Sequence, residues 1–192
     1  MGPERTHGIA PAGPDLGGIV LDDSLGRPVR LGDIVDRPTI VNLVRYYGCP
    51  PCRLYLGSLE EHLDEIHRAG GGALGIGPAA PYQAVLLERS QISFPLLLDP
   101  ERRVATALGL GRQSLLRFVF DVRGWWRWLR AMLGGARQGA ITAGWQELPA
   151  VAVLDAGGSL RWLHRGRFVG DYPPLSTVLR HLGPAGTGHG TA

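Results

Sequence analysis

The 192-residue sequence contains no lysine, so its 20 basic residues other than histidine are all arginines. The formal net charge is only +3, and the arginines are scattered among acidic residues along most of the chain. Nucleic-acid binding requires a concentrated basic stripe, usually with interleaved aromatic side chains. We therefore predict no nucleic-acid partner.

The sequence also has little cysteine and lacks a long apolar segment near its start. Two cysteines cannot form a disulfide framework, and residues 1–16 are rich in glycine and proline without a run of signal-peptide length. We expect a cytoplasmic protein, in which a surviving cysteine pair is more often catalytic than structural. The length suits one domain with one elaboration.

The two cysteines, Cys49 and Cys52, form a Cys-Pro-Pro-Cys motif directly after the apolar run 39–44. A Cys-x-x-Cys motif where a strand meets a helix is typical of a dithiol redox site. The helix brings the second sulfur back beneath the first, so a disulfide can form and open with little backbone movement. The first sulfur lies at the positive end of the helix dipole. We therefore assign Cys49 as the nucleophile and Cys52 as the resolving thiol.

The two prolines of the motif remove two N–H donors that could stabilise a Cys49 thiolate, which leaves the N–H of Cys52 as the nearest donor. Proline geometry also favours a helix that begins at Pro51. Positive charge would then have to come from Arg45 or Arg53. We predict a modest depression of the Cys49 pKa.

A metal site is the alternative interpretation, because His62 and His67 follow the cysteines. Nine residues separate the two pairs, whereas a zinc finger normally has about twelve. Both histidines lie among acidic residues on what looks like one helix over residues 53–68, and we expect them to face solvent. No phosphate-binding glycine loop follows a strand. The sequence thus favours a redox dithiol and implies no metal or other cofactor.

The rest of the chain alternates short apolar runs with helical patterns. We predict a hairpin within residues 17–31, strands at 39–44, 73–76 and 94–98, helices at 81–90 and 101–108, a second hairpin at 151–154 and 160–165, and a last helix at 173–182. This order resembles the thioredoxin fold, a three-layer α/β/α sandwich with a mixed central sheet. The domain would span residues 17–182, between a flexible N-terminus (1–16) and a disordered tail (183–192).

Several segments are similar to one particular family, which is a more specific resemblance than that to the thioredoxin fold. Residues 45–53 (Arg-Tyr-Tyr-Gly-Cys-Pro-Pro-Cys-Arg), 94–100 (Phe-Pro-Leu-Leu-Leu-Asp-Pro) and 107–109 are similar to the peroxiredoxin-like branch of the alkyl hydroperoxide reductase and thiol-specific antioxidant superfamily. Segments within 153–165 and 170–174 extend the similarity. The resemblance implies an antioxidant oxidoreductase that reduces hydroperoxides and is reset by a thioredoxin-like or low-molecular-weight thiol.

The resemblance also suggests residues that bind substrate. Typical members have a proline seven residues and a threonine or serine three residues before the peroxidatic cysteine, where this chain has Asn42 and Tyr46. A tyrosine hydroxyl can donate a hydrogen bond, so Tyr46 is a candidate, with Arg45 and Arg53 as groups that polarise a peroxide oxygen. Thioredoxin-like proteins place a cis-proline opposite the dithiol, a role that falls here to Pro149.

Two other functions remain open at this level. The same dithiol would serve a general disulfide reductase acting on protein disulfides. A thioredoxin-fold binding module could instead use the dithiol only to sense redox state. Turnover with a reductant distinguishes an enzyme from a sensor.

An insertion at about residues 113–139 departs from a minimal thioredoxin-like core. Within 115–133 the apolar residues recur at helical spacing, with arginines on a flank. Asp121 and Gly124 interrupt the run, which argues against a transmembrane span. We predict a helix, bent at Gly124, that packs across the sheet or beside the dithiol. The alternative exposes its tryptophans and arginines to a protein partner or a membrane surface.

Overall fold

The computed structural model describes residues 13–78, 80–112, 121–133, 139–141 and 146–183. These residues form strands β1 (Val20–Asp23), β2 (Pro28–Arg30), β3 (Thr39–Leu43), β4 (Gly72–Gly77), β5 (Leu96–Leu98), β6 (Ala150–Leu154) and β7 (Leu160–Arg165). They also form helices α1 (Leu31–Ile34), α2 (Pro50–Glu61), α3 (Leu63–Arg68), α4 (Pro81–Ser90), α5 (Arg103–Ala107), α6 (Val122–Leu133) and α7 (Leu175–Leu179).

All seven strands join one mixed sheet in the order β2-β1-β5-β4-β3-β6-β7. The central strands β3, β4 and β5 are parallel, and the remaining pairs are antiparallel. Strand β3 is buried along its whole length, with Val41 opposite Leu74 on one side and Ala152 on the other. Its carboxyl end leads directly into the cysteine loop.

Alternating side chains of the sheet supply two separate cores. Ile40 and Val151 point toward the layer that contains α2, α3, α4 and α7. Val41 and Leu74 point to the opposite face, where α1 and α5 pack. This period-two alternation buries both faces of the sheet. The predicted three-layer α/β/α sandwich is confirmed.

Several predicted boundaries need correction. The expected single helix over residues 53–68 is divided at His62, whose backbone leaves the helical region. Helix α2 begins at Pro50 rather than Pro51, because a proline fits the first helical position and the Cys49 carbonyl accepts the N–H of Arg53 at 2.9 Å. Helix α5 begins only at Arg103, where the Asp99 carboxylate accepts the first free N–H groups.

The ordered region begins earlier than predicted. Leu16 is buried, Asp15 forms a bridge with Ser159, and the Pro14 carbonyl accepts the N–H of Leu160. Residues 13–16 therefore belong to the folded domain rather than to a flexible N-terminus. The remainder of that predicted segment (1–12) and the predicted tail from residue 184 onward lie outside the described residues.

Helix α6 lies within the insertion, and it packs against α2. It begins after Asp121, whose carboxylate accepts the N–H of Gly124 at 2.9 Å. Gly124 thus lies in the first turn and not at a bend, because Asp121 starts a new helix there. Residues 115–120 of the predicted helix lie outside the described part of the chain. Within the described ranges, no helix has both the length and the apolarity needed to cross a membrane.

Candidate active site

The cysteine pair occupies the junction of β3 and α2. Cys49 directly precedes α2, Cys52 lies in the first turn, and both are free thiols with 0% and 1% of their surface exposed. The N–H of Cys49 donates to the Tyr46 carbonyl at 3.1 Å, which closes a tight turn before the helix. The predicted juxtaposition of the two thiols follows from this local geometry.

Tyr47 anchors the cysteine loop to the sheet. Its hydroxyl donates to the Leu97 carbonyl at 2.6 Å, and its ring covers β4. A Cβ atom added at Gly77 would lie 2.6 Å from that ring, so only glycine admits the tyrosine there. Burial raises the pKa of Tyr47, which keeps the hydroxyl protonated as a donor. The loop that carries the cysteines is therefore held rigidly against β4 and β5.

Arg45 brings positive charge to the first sulfur. Its side chain is buried, and its Nη1 donates to the Sγ of Cys49 at 3.8 Å. Its Nε donates to the Glu147 carbonyl at 2.9 Å, and its guanidinium carbon lies 5.9 Å from the centre of the Tyr46 ring. These contacts hold the guanidinium in place, so it can stabilise a thiolate or polarise an oxygen bound beside Cys49.

Glu147 supports Arg45 from the segment that precedes β6. Its mostly buried carboxylate accepts bonds from Arg102 at 2.6 Å and from Arg112 at 2.8 Å. These ion pairs fix the backbone whose carbonyl holds Arg45. Sequence analysis missed Glu147, since it lies 102 residues from Arg45 along the chain.

The two thiols differ in acidity. Burial, followed by the hydrogen bond and charge of Cys52, raises the pKa of Cys49 well above that of an ordinary thiol. Burial also opposes ionisation of Cys52, but the hydrogen bond from Cys49 and the charge of Arg45 outweigh it and lower the pKa of Cys52 to about 6. The predicted depression at Cys49 is thus wrong in direction. The pair therefore loses its first proton readily and its second with difficulty, because the remaining thiol stabilises the thiolate of its neighbour.

Tyr172 completes the environment of Cys52. Its ring stacks on Tyr55 with centroids 4.3 Å apart, and its buried hydroxyl has no hydrogen-bond partner of good geometry among the described residues. The hydroxyl nevertheless lies close enough to Cys52 to lower the pKa of that thiol. Burial, and then the charge of Cys52, raises the pKa of Tyr172 itself. Only the family-like Gly-Asp-Tyr-Pro-Pro segment pointed toward this residue in the sequence.

A groove of about 880 Å³ runs between α2 and α6 beside this pair of tyrosines. Pro51, Leu54 and Tyr55 line it from α2, and Trp126, Arg127 and Arg130 line it from α6. Of the two packing positions predicted for the insertion, α6 takes the one beside the cysteine-bearing helix α2. The groove offers an apolar wall and positive charge within one turn of Cys52.

The remaining predicted substrate residues lie in different surroundings. Arg53 donates to the Gln91 side chain at 3.0 Å, toward the end of α4, whereas the guanidinium of Arg45 reaches Cys49. The peptide bond before Pro149 is trans, so the expected cis-proline is absent at this position. The Pro149 carbonyl accepts the N–H of Gly166 at 2.9 Å and so extends the β6–β7 pairing.

Comparison with known proteins identifies the family. The model of the AhpC/TSA family matches residues 13–162. The chain belongs to the AhpC/TSA family. This confirms the resemblance drawn from the cysteine loop and the Phe-Pro-Leu-Leu-Leu-Asp-Pro segment.

Three individual proteins are similar to this chain. A Mycobacterium tuberculosis protein that carries the name peroxiredoxin is 33% identical over 90 residues, which cover 46% of this chain and 57% of that relative. The peroxiredoxin Bcp of Escherichia coli is 27% identical over 123 residues, covering 63% of this chain and 75% of its own. A solved peroxiredoxin Q of Xanthomonas campestris shares the fold, with a TM-score of 0.63 and 16% identity over 87% of this chain and 91% of that chain.

Asn42 occupies an unusual position for an asparagine. It lies in the middle of β3 between Gly75 and Val151, fully buried, and neither atom of its amide group has a hydrogen-bond partner in the described structure. An unsatisfied buried polar group costs about 1–3 kcal/mol. Sequence analysis noted Asn42 as a departure from the family pattern, and the structure places this polar group on the central strand.

The alternative metal site does not assemble. His62 and His67 are exposed, as predicted, while both cysteines are buried. His62 instead contacts the Ser58 carbonyl through Nδ1 at 2.9 Å. In the described ranges no three histidine, cysteine, aspartate or glutamate side chains converge as metal ligands would.

Proposed function

We propose that the protein is a thiol peroxidase in which Cys49 attacks a hydroperoxide and Cys52 resolves the product. The observation that carries the proposal is the buried Arg45 guanidinium at 3.8 Å from the Cys49 sulfur, with the second thiol in the adjacent helical turn. Membership of the AhpC/TSA family, in which matched relatives are named peroxiredoxins, supports it. Tyr46, whose ring lies near Arg45, would border the peroxide.

One thiolate, one thiol and one proton from solvent are enough to reduce one hydroperoxide before the final reduction. The Cys49 thiolate attacks the terminal oxygen of the hydroperoxide, so an S–O bond forms, the O–O bond breaks, and an alcohol leaves after protonation. Cys49 is then a sulfenic acid. Cys52, deprotonated by the leaving alkoxide, attacks the sulfenic sulfur, so an S–S bond forms, the S–O bond breaks, and the departing hydroxide takes a proton from solvent and leaves as water. An external dithiol, thioredoxin-like or of low molecular weight, supplies the two electrons that restore both thiols.

The acidity of the pair sets the protonation state at neutral pH. With the pKa of Cys52 at about 6, the pair carries one thiolate and one proton between its two sulfurs. Transfer of that proton from Cys49 to Cys52 places the negative charge beside Arg45. The competing assignment, with Cys52 as the peroxide-reactive thiol, follows from the same pKa and is tested directly below.

Thiol–disulfide exchange is the second candidate function. A thiol with a pKa of about 6 is largely ionised at neutral pH and is a competent nucleophile toward disulfides. A mixed disulfide at one cysteine would be resolved by the other without further groups. The same dithiol would serve a redox sensor, which changes its affinity for a partner and consumes no substrate.

The decisive experiment measures the rate at which the reduced protein loses its thiols to hydrogen peroxide, followed by stopped-flow tryptophan fluorescence. We expect a second-order rate at least about 100 times that of a free thiol, the size of effect that one fixed charged donor provides. In Cys52→Ser, a sulfenic-acid trap should label Cys49. In Cys49→Ser, the fast reaction should disappear.

Three other results would each contradict the proposal. Fast labelling of Cys52 in Cys49→Ser would reverse the roles of the two thiols. A rate no better than a free thiol, together with rapid reduction of a model disulfide, would establish disulfide exchange. Slow reaction with both substrates would leave redox sensing as the remaining candidate function.

A further inference from the structure

Helix α6 presents several of its large apolar side chains to solvent. Gly124 is buried, and a Cβ there would lie 3.1 Å from the Val169 side chain. The stem of Arg127 packs near Gly170, and its guanidinium lies 5.8 Å from the Phe168 ring. Gly124 and the stem of Arg127 thus supply two of the close contacts between this helix and the segment 168–170.

The exposed residues lie on one side of the helix. At about 100° per residue, Val122, Trp126, Leu129 and Leu133 fall within an arc of about 60°. Trp126 is 62% exposed and Leu133 is 79% exposed. Apolar groups of this size in water are unfavourable unless another surface covers them.

Positive charge borders this arc. Arg123 and Arg130 fall about 60–100° from its centre, on one side, and both are exposed. The helix sequence contains three arginines and no acidic residue. An apolar face with tryptophan and a basic flank matches helices that lie in the interface of an anionic bilayer, where indole rings prefer the headgroup level.

We propose that α6 docks the protein onto the surface of an anionic membrane. The apolar arc, here defined as Val122, Trp126, Leu129 and Leu133, enters the headgroup boundary, while Arg123 and Arg130 bind lipid phosphates. The charge complementarity selects an anionic lipid surface over a neutral one, because a neutral surface would leave the basic flank without counter-charge. Docking is peripheral and involves no membrane-spanning segment.

The test is cosedimentation of the full-length protein with vesicles of equimolar phosphatidylglycerol and phosphatidylcholine, and with vesicles of phosphatidylcholine alone. We expect binding to the anionic vesicles at low salt, weakened at high salt and at least about tenfold weaker on neutral vesicles. Leu133→Glu should reduce the partition coefficient at least about tenfold, because it places a carboxylate in the apolar arc.

Matched variants distinguish docking through α6 from nonspecific adsorption to the vesicles. Leu86 lies on α4 and is 63% exposed, so Leu86→Glu makes the same change at another exposed leucine and should leave binding within about twofold. Arg130→Gln should weaken binding about fivefold, and Arg89→Gln on α4 should change it little. All four positions are exposed, so a circular dichroism spectrum like that of the wild type is expected throughout.

Several outcomes would overturn the proposal. One is a protein that stays in the supernatant with anionic vesicles at low salt; another is a loss of binding in Leu86→Glu equal to that in Leu133→Glu. Light scattering tests whether a second copy of this chain, rather than a membrane, covers the apolar arc. If the wild type is a dimer, Leu133→Glu is a monomer and neither binds vesicles, a second copy of this chain covers the apolar arc instead.

Discussion

Around the dithiol, an arginine, two thiols and a tyrosine hydroxyl lie in the protein interior, while neighbouring helix α6 places tryptophan and leucine side chains in water. Both regions depart from the usual separation of polar and apolar groups, in opposite directions. In the first, the cost of burying Arg45 is offset by the Glu147 carbonyl and the sulfur of Cys49. In the second, the side chains of the apolar arc of α6 stay 44–79% exposed.

The side chains of the two regions differ in where they make their contacts. The buried polar groups contact one another, so their chemistry is set within the domain. The exposed apolar groups have a use only if another surface contacts them. Removing single side chains from each region tests this contrast.

The largest effect is expected on stability. Leu59 in α2 is fully buried, so Leu59→Ala should lower the free energy of unfolding by about 3 kcal/mol. The same change in the apolar arc, Leu133→Ala, should lower it by less than about 0.5 kcal/mol, since that side chain is 79% exposed. Urea denaturation of both variants measures the difference. Similar losses in the two variants would mean that α6 is covered within the domain.

A second prediction compares the two arginines near the motif. Arg45→Met should slow the reaction of the reduced protein with hydrogen peroxide about 100-fold, because it removes the charge beside Cys49. Arg53→Met should have a much smaller effect, about threefold or less, because that guanidinium bonds to Gln91 near the surface. Stopped-flow fluorescence gives both rates. Equal losses would show that both arginines reach the substrate.

The smallest effect is expected on the pH dependence. The Tyr172 hydroxyl lowers the pKa of Cys52, so Tyr172→Phe should raise that pKa. A thiol with a lowered pKa loses its thiolate as the pH falls through about 6, and the variant should lose it at a higher pH. Thiolate content near pH 6 should therefore fall, by at most about fivefold for one hydrogen bond, with no change well above both values.

Tyr55→Phe is the matched control for this prediction. It removes the hydroxyl of the stacked partner ring, and Tyr55 is not among the groups that shift the pKa of Cys52. Ultraviolet absorbance of the thiolate, followed against pH, should show a shift for Tyr172→Phe alone. A shift of equal size in both variants would indicate a change in packing rather than loss of one hydroxyl.

Much of the fold was predictable because its signals are local. The apolar runs identified five of the seven strands to within two residues, and the Pro81–Ser90 helix was predicted at its observed bounds. Boundaries failed where a distant or flanking group decided them, as with the cap at Asp99 and the break at His62. A helix end depends on which groups satisfy its free N–H and C=O groups, and periodicity does not reveal those partners.

The candidate site likewise has one part that local sequence predicts and another that depends on distant segments. The proximity of Cys49 and Cys52 follows from their spacing of three positions at the start of a helix. The groups that surround them, Arg45 with its support from Glu147 and the hydroxyl of Tyr172, come from segments about 100 residues apart. Burial raised the pKa of Cys49 against expectation, because desolvation of that thiol depends on the whole packed domain.

By itself, the sequence determined the dithiol, the alternation of strands and helices, the family and the amphipathic character of the insertion, because each depends on spacing within a short stretch of chain. Only the tertiary structure decided which arginine faces the sulfur, which thiol is the more acidic and which side of α6 meets solvent. Those properties depend on contacts between segments distant in sequence, and burial, electrostatic interaction and packing arise only when such segments meet.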